Sequence, residues 1–296
     1  MTEQDQRPGW DAYMEWAGRF ASDPEFKRDE LDYKRRAGLA VGVAVAALRT
    51  GEQWLEPLRH AFLSKNNNMV DWRSYGRFLD WVERQPGSCS EALAVLWAEG
   101  DNSGPERVDG FDAFVPDDVS TRPGGLANLA GFLLSGLDAD MWPNYRISTL
   151  DDAYELARFP TVPLKSSPGA HFGHALEFFD ATIAEAASRN LPIRTRLEAQ
   201  SAMWVIAGPG GHGRYGLTDD ERARFDTFVA IPNMLRTERK KKAAEPKKPK
   251  RPSSRVCPKC GHDDEVTFVG PAEDRWEFEC AGSSQHAEPY SFLVRG

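Results

Sequence analysis

Apolar residues recur at intervals of three and four over most of the first 235 positions, which is the spacing of one face of an α-helix. The clearest segments run over Pro24–Thr50, Gln53–Leu63, Trp72–Val82 and Leu126–Leu137. Gly51 follows the first segment and predicts its end, because glycine readily adopts the left-handed conformation of a helix C-cap. We therefore expect a multi-helix domain over residues 1–235, with the apolar run Leu39–Leu48 as the buried part of a helix.

Polar residues at helix-capping spacing predict further boundaries in this domain. The pairs are Ser88 with Glu91, Thr149 with Asp152 and Thr218 with Glu221. In such pairs each side chain can satisfy a backbone N–H group that the first helical turn leaves open. Two more helices are expected at about 170–188 and 192–207, whereas the acidic, turn-rich stretch 101–123 predicts a connection.

The periodicity changes after residue 260. Apolar and polar residues alternate over Glu265–Val269 and again over Trp276–Cys280, which is the period of a β-strand. Gly270-Pro271 lies between them and predicts the turn, and the ending from Tyr290 predicts another strand. Residues 256–296 are thus expected to form a small β module, so the fold class is mainly α with a small C-terminal β zinc ribbon.

Three of the four cysteines fall in this module, in the pattern C-x2-C-x19-C-x5-H. Cys257, Cys260, Cys280 and His286 supply three thiolates and one imidazole, the donor set of a closed structural Zn²⁺ site. A closed site leaves no position for substrate, so the zinc is expected to fold the module without taking part in chemistry. His262 is an alternative fourth ligand, and a redox pair is disfavoured because no βαβ pattern surrounds the C-x2-C motif.

A basic segment separates the two predicted modules. Residues 236–255 contain ten Lys and Arg against Glu238 and Glu245, a net charge of +8. Residues 256–296 carry −5, so the overall −8 leaves −11 on residues 1–235. Lysine and proline predict an extended, flexible linker, which is either a solvated tether or a phosphate-contacting segment. The candidate nucleic-acid-binding residues are Lys240, Lys241, Lys242, Lys247, Lys248, Lys250 and Arg251.

One helical face has side chains suited to catalysis. His171, His174, Glu177 and Asp180 recur at spacings of three, and such a face can hold a metal or perform acid–base chemistry. Histidines in a first helical turn are also commonly solvent-facing, which is the competing interpretation. The chain has no P-loop and no recognisable hydrolase or nuclease motif, and the glycine-rich loop 208–216 lacks the Lys-Ser/Thr of a Walker loop.

Three segments of the helical part resemble a known family. They are Trp54–Glu83, Leu126–Leu156 and Leu191–Ile206, and their sharpest parts are the Asn144–Thr149 turn and the helix around Gln200 and Trp204. Over about residues 50–210 the chain resembles the helical N-terminal region of McrB-like restriction ATPases and related bacterial phage-defence proteins. The resemblance implies recognition or assembly together with a partner ATPase or nuclease. ATPase motifs are missing, so NTP hydrolysis does not follow from it.

The N-terminus is polar without a hydrophobic signal core, and no stretch approaches the ~20 apolar residues of a membrane span. We therefore expect a cytoplasmic protein without a membrane partner. The leading hypothesis is a non-catalytic DNA-recognition or adaptor protein of a bacterial restriction or anti-phage system. In it, the ribbon and basic segment contact DNA, and the helical domain contacts a partner protein. The alternatives are a metal-dependent nuclease or hydrolase using the His171/His174 face, and a purely protein-binding assembly factor.

Overall fold

The computed structural model describes residues 3–64, 69–100, 102–120, 122–163, 165–208, 215–244, 266–272, 275–280 and 290–295. It is mainly helical, with a small antiparallel sheet near the C-terminus, which confirms the predicted fold class at this level. The chain divides into two compact units, Met1–Met234 and Leu235–Gly296.

The helices of the first unit follow one another through short connections. They are α1 (Glu3–Ala21), a π-helical segment (Lys27–Leu31), α2 (Asp32–Thr50), α3 (Leu55–Leu63), α4 (Trp72–Arg84), α5 (Pro86–Leu96), α6 (Gly104–Asp112), α7 (Pro123–Leu134), α8 (Ile147–Ala157), α9 (Pro168–Ser188), α10 (Arg196–Ala207) and α11 (Asp219–Val229). A further helix, α12 (Ile231–Ala244), continues across the division between the units.

An aromatic cluster around Phe178 joins α1, α8 and α9. Trp10 stacks on Phe178 at a centroid distance of 5.6 Å, and the rings of Tyr13 and Tyr154 meet Phe178 edge-on at 5.6 and 5.2 Å. Such offset and edge-on pairs add to the free energy gained from burying the rings. The N-terminal helix is therefore an integral part of the core.

Helix α2 buries a different face from the one its sequence suggested. Leu39 and Val43 are 72% and 58% exposed, although they belong to the apolar run that was predicted to be buried. The buried face carries Gly38 and Val41, because Gly38 lies against the carbonyl group of Ser135 at the end of α7. A helix that is apolar on all sides does not show from its sequence which face is buried. In α2 the buried face is the one with Gly38, where the missing side chain allows close packing against Ser135.

Helix α6 lies within the stretch 101–123 that was predicted to be a connection without a helix. The Ser103 hydroxyl accepts a hydrogen bond from the Glu106 amide, and the Glu106 carboxylate accepts one from the Ser103 amide at 2.8 Å. The Gly104-Pro105 pair, which resembles a turn signal, forms the first helical turn, where proline needs no N–H partner. The prediction of a connection was wrong because a Gly-Pro pair occurs both in turns and in the first turn of a helix.

Capping was predicted correctly at one of the three proposed pairs. Thr218 and Glu221 form the expected capping box before α11. Helix α5 instead begins at Pro86, and Thr149 is buried within α8, which begins at Ile147. The capping spacing alone therefore does not distinguish a first turn from a later one.

The second unit contains a three-stranded antiparallel sheet in the order β1 (Val266–Ala272), β2 (Arg275–Cys280), β3 (Tyr290–Arg295). All three predicted strands are present. Gly270-Pro271 lies inside β1, at a register irregularity between Phe268 and Gly270, and does not form the predicted turn. The Phe278 and Phe292 rings stack across β2 and β3 at 5.8 Å.

The predicted extended linker begins later than expected. Helix α12 reaches Ala244, so residues 236–244 of the segment 236–255 are helical. Lys, Arg, Glu and Ala are good helix formers, and the first proline after Pro232 is Pro246. Charge repulsion over these nine residues does not override their helix propensity.

We expect Gly38→Ala to lower the free energy of unfolding of the helical unit by about 1–3 kcal/mol, the usual cost of overpacking. An added Cβ would lie 2.7 Å from the Ser135 carbonyl oxygen. Gly76→Ala in α4 is the matched control, because nothing lies within 4 Å of its added Cβ. The control should gain about 0.5–1 kcal/mol, and urea titration measures both. Equal effects of the two substitutions would contradict the close approach of α2 to Ser135.

Candidate metal centre and polar cleft

The predicted zinc ligand Cys280 is the last residue of β2. It pairs in register with Val266, the first residue of β1, and with Tyr290, the first residue of β3. Its side chain is buried, as is that of Phe278 two positions earlier on the same strand. One end of the sheet therefore contains the start of β1, the end of β2 and the start of β3.

The other predicted ligands, Cys257, Cys260 and His286, lie outside the described residues, and so does the alternative ligand His262. Along the sequence, Cys260 precedes Val266 by six positions and His286 precedes Tyr290 by four. Each therefore falls within a few residues of the sheet end that contains Cys280. Within the described part of the chain, no group of three or more His, Cys, Asp or Glu side chains can hold a metal ion.

The candidate nucleic-acid-binding residues fall into two sets. Lys240, Lys241 and Lys242 lie in the C-terminal part of α12. Lys247, Lys248, Lys250 and Arg251 lie outside the described residues. The structure thus places the first set on a helix, where the sequence predicted an extended segment.

The His171 face does not form a common catalytic site. His171 Nδ1 lies 3.2 Å from the Tyr145 hydroxyl, whereas His174 Nε2 donates a hydrogen bond to the Pro160 carbonyl at 2.7 Å. Asp180 accepts two hydrogen bonds from Arg196, both at 2.6 Å. These three partners hold His171, His174 and Asp180 in different interactions within the helical unit.

Both histidines are less exposed than a solvent-facing first turn would leave them. The His174 ring packs between Tyr154 and Phe159, and its Nδ1 lies 3.3 Å from the Glu177 carboxylate. Burial, together with the neighbouring His174, lowers the pKa of His171. The two histidines are therefore half-buried next to α8, whereas Glu177 and Asp180 further along the face are exposed.

A buried ion pair that sequence reasoning missed lies between the π-helical segment and α10. The Lys34 ammonium group lies 3.3 Å from the Glu30 carboxylate and donates to Gln200 Oε1 at 2.9 Å and to Ser201 Oγ at 2.8 Å. Lys34 and Glu30 are 4% and 1% exposed. Burial lowers the pKa of Lys34 to about 8, although the charge and hydrogen bond of Glu30 act in the opposite direction.

Lys34 and Gln200 line a polar cleft together with Tyr33, Met69, Asn144, Arg146 and Trp204. The Asn144 side-chain amide donates to the Met69 carbonyl at 2.7 Å, and Asn128 donates to the same carbonyl at 3.0 Å. The Arg146 guanidinium lies 4.7 Å from the centre of the Trp204 ring. Asn144–Thr149 and the helix around Gln200, the two sharpest parts of the resemblance expected from the sequence, therefore meet at this cleft.

The polar side chains of the cleft bind one another and leave little space for a ligand. The Lys34 ammonium donates hydrogen bonds to Gln200 and Ser201, and its charge is balanced by the ion pair with Glu30. The cleft has a free volume of about 10 Å³, which is the space of about one water molecule. The i,i+4 spacing of Glu30 and Lys34 was visible in the sequence, but their burial depends on α10, which is more than 160 residues away.

A larger groove, of about 600 Å³, runs along α1. It is lined by Asp11, Arg19 and Asp23, and by Arg189 and Leu191 from the end of α9 onwards. Arg19 lies 3.7 Å from the Asp23 carboxylate and donates to Glu221, while Arg189 pairs with Asp11 at 2.9 Å. Each of these charged side chains therefore has an ion-pair partner, and no catalytic constellation is evident among the described residues of the groove.

No model of a known protein family, no curated protein and no solved structure matches this chain. Among the described helices, none is long and apolar enough to cross a lipid bilayer. Functional inference therefore rests on the residues and geometry of the chain itself.

We expect Lys34→Met to lower the free energy of unfolding of the helical unit by about 3–5 kcal/mol, because Glu30 would stay buried without its partner. Replacing both residues, as Lys34→Met with Glu30→Leu, should recover most of the loss. Urea titration of the two variants measures the difference. A Lys34→Met loss below about 1 kcal/mol, the scale of an exposed pair, would show that the ion pair is not sealed from water.

Proposed function

We propose that this chain is a non-catalytic DNA-recognition or adaptor protein of a cytoplasmic bacterial restriction or anti-phage system. A zinc ribbon at the C-terminus and the basic segment before it contact DNA. The helical unit contacts a partner protein, an ATPase or a nuclease. Zinc stabilises the fold of the ribbon and performs no chemistry.

The observation that carries the proposal is the register of the C-terminal sheet. Val266, Cys280 and Tyr290 are aligned at one end of the three strands. The C-x2-C pair precedes the first of these positions, and His286 precedes the last. Antiparallel strands in this register bring the segments that carry the predicted ligands towards one end of the sheet. A structural Zn²⁺ site needs its four ligands to converge in this way.

Charge supports local contact with DNA. Residues 1–235 carry −11, and this charge repels a polyanion, whereas residues 236–255 carry +8. Lys and Arg in this segment release counterions when they neutralise phosphates, which gives binding that weakens as salt rises. A basic segment next to a small metal-stabilised module is a suitable contact for DNA.

The non-catalytic role is supported by the histidine face, where His171, His174 and Asp180 are held by Tyr145, Pro160 and Arg196 of the helical unit. The defence context rests on the sequence resemblance alone. The two sharpest segments of the resemblance meet at the Lys34 cleft, where each contributes lining side chains, which supports treating them as one structural unit of the helical region.

We expect the purified full chain to contain one equivalent of zinc, and Cys280→Ser to lose it. The variant should unfold residues 256–296 while the helical unit keeps its thermal transition, because folding of such modules is coupled to metal binding. Metal analysis and circular dichroism during heating measure the two effects.

Cys89→Ser is the matched control for this experiment. Cys89 is buried in α5 of the helical unit, so its substitution should leave the zinc content unchanged. Zinc retained in Cys280→Ser would contradict the assigned ligand set. Loss of the helical transition in that variant would contradict the independence of the two modules.

We also expect the full chain to bind duplex DNA, with an affinity that falls as salt rises. A titration of fluorescent duplexes, plain and cytosine-modified, at two salt concentrations measures both affinity and preference. Tighter binding of the modified duplex supports a specificity component of a restriction system. Absence of binding at low salt would contradict the DNA role and favour a protein-binding assembly factor.

A further inference from the structure

The solvent-facing side of α2 is apolar over about three turns. Between Arg36 and Arg49 the helix contains no polar side chain. Leu39 and Val43, one turn apart, are nevertheless largely exposed, and Ala46 on the next turn is exposed as well. Single exposed apolar residues are common on protein surfaces, whereas a contiguous apolar patch marks an interaction site. We call these three residues the α2 stripe.

A groove of about 350 Å³ runs beside the α2 stripe, between α2 and residues 135–140 that follow α7. Its lining includes Gly38, Gly42 and Leu137. The two walls lie close together, because a Cβ added at Gly42 would lie 3.1 Å from the Gly136 carbonyl oxygen. A ridge and a groove on one surface are self-complementary, since a twofold rotation places the ridge of each copy in the groove of the other.

The charges at the two ends of α2 also complement those of a second copy. Arg36 at the start of the stripe and Glu52 just beyond the end of α2 are exposed, and neither has an ion-pair partner in the described part of the chain. Arg49 is held at its own end by the Trp97 carbonyl, at 2.8 Å, and by Glu99, at 3.7 Å. The C-terminal end of a helix also carries partial negative charge, which favours a cation. Antiparallel α2 helices would therefore bring opposite charges together at both ends.

We propose that a second copy of this chain docks on the α2 stripe and forms a twofold-symmetric dimer through antiparallel α2 helices. Leu39 of one copy lies opposite the small Ala46 of the other, and Val43 lies over Gly42, so that large side chains face small ones. The long Arg36 side chain reaches Glu52 of the other copy beyond the end of its helix. The dimer is a property of the helical unit and does not depend on the proposed contacts with zinc and DNA.

The mass of the full chain in solution tests the dimer. Sedimentation velocity over a range of concentrations should show a reversible equilibrium of monomer and dimer, because an interface centred on one helix pair is small. Val43→Glu buries an unpaired carboxylate in the contact and should raise the dissociation constant about a hundredfold or more. The thermal transition of the helical unit should persist, since Val43 is exposed in the monomer. Trp72→Glu, at a 64% exposed position on α4, is the matched control and should dimerise like the wild type.

An exchange of charges tests the antiparallel arrangement. Arg36→Glu alone and Glu52→Arg alone each place like charges opposite one another, and each should raise the dissociation constant about tenfold at low salt. The double variant restores the pair in the reverse sense and should dissociate within about threefold of the wild type. Independent effects of the two substitutions on the monomer would add and would not give this recovery.

A full chain that stays monomeric at every concentration would overturn the proposal and leave the α2 stripe to a different protein or to the C-terminal unit of the same chain. A dimer that persists in Val43→Glu would overturn it as well, because another surface would then form the contact. Additive losses in the double charge variant would contradict the antiparallel pairing. Cys280→Ser should dimerise like the wild type, and its dissociation would contradict an interface on the helical unit. These outcomes are distinct from the result of the DNA titration, which measures a different contact.

Discussion

The ammonium group of Lys34 is the constraint that fixes how α10 meets the π-helical segment and the start of α2. A charge sealed from water is tolerated only where its partners are all in place, and these partners belong to the π-helical segment and to α10. The serine that accepts from Lys34 also donates to the Glu30 carbonyl, at 3.4 Å, so backbone and side chains share one network. Any sliding of α10 along α2 would separate a buried charge from its partners. The network therefore specifies one arrangement of these elements, whereas apolar packing alone tolerates several.

Much of the helical architecture was accessible from the sequence because it depends on local periodicity. The end of α2 at Gly51, the start of α11 at Thr218 and the approximate bounds of α3, α4 and α7 follow from patterns within one or two turns. The inner face of α2 did not follow, because it is decided by the Ser135 carbonyl, nearly a hundred residues away. Helix α6 was missed for a different reason, since Gly104-Pro105 begins a helix as readily as it makes a turn.

The residues of the candidate sites also fall into two groups, those that local sequence predicted and those that it did not. The zinc ligands stay a prediction from residue type and spacing, whereas the strand that ends at Cys280 was predicted from alternation and is present. Lys34, Gln200 and Asn144 gave no comparable signal, because a buried polar residue in a helix is indistinguishable by sequence from an exposed one. The helical state of residues 236–244 was missed because charge and nearby prolines were given more weight than helix propensity. Local chemistry was thus easier to predict than any property set by long-range contact.

Pro271 has a consequence for how the C-terminal sheet meets other chains. Among the described strands β1 lies at an edge of the sheet, and an edge strand with free amide groups is a template onto which a further strand can add. Proline has no amide hydrogen to offer, and the register irregularity just before Gly270 breaks the regular spacing of the neighbouring groups. Gly270-Pro271, which was predicted to form a turn, therefore discourages the addition of a further strand to β1. This side of the sheet is protected against edge-to-edge aggregation, even where the aromatic content of its strands would favour it.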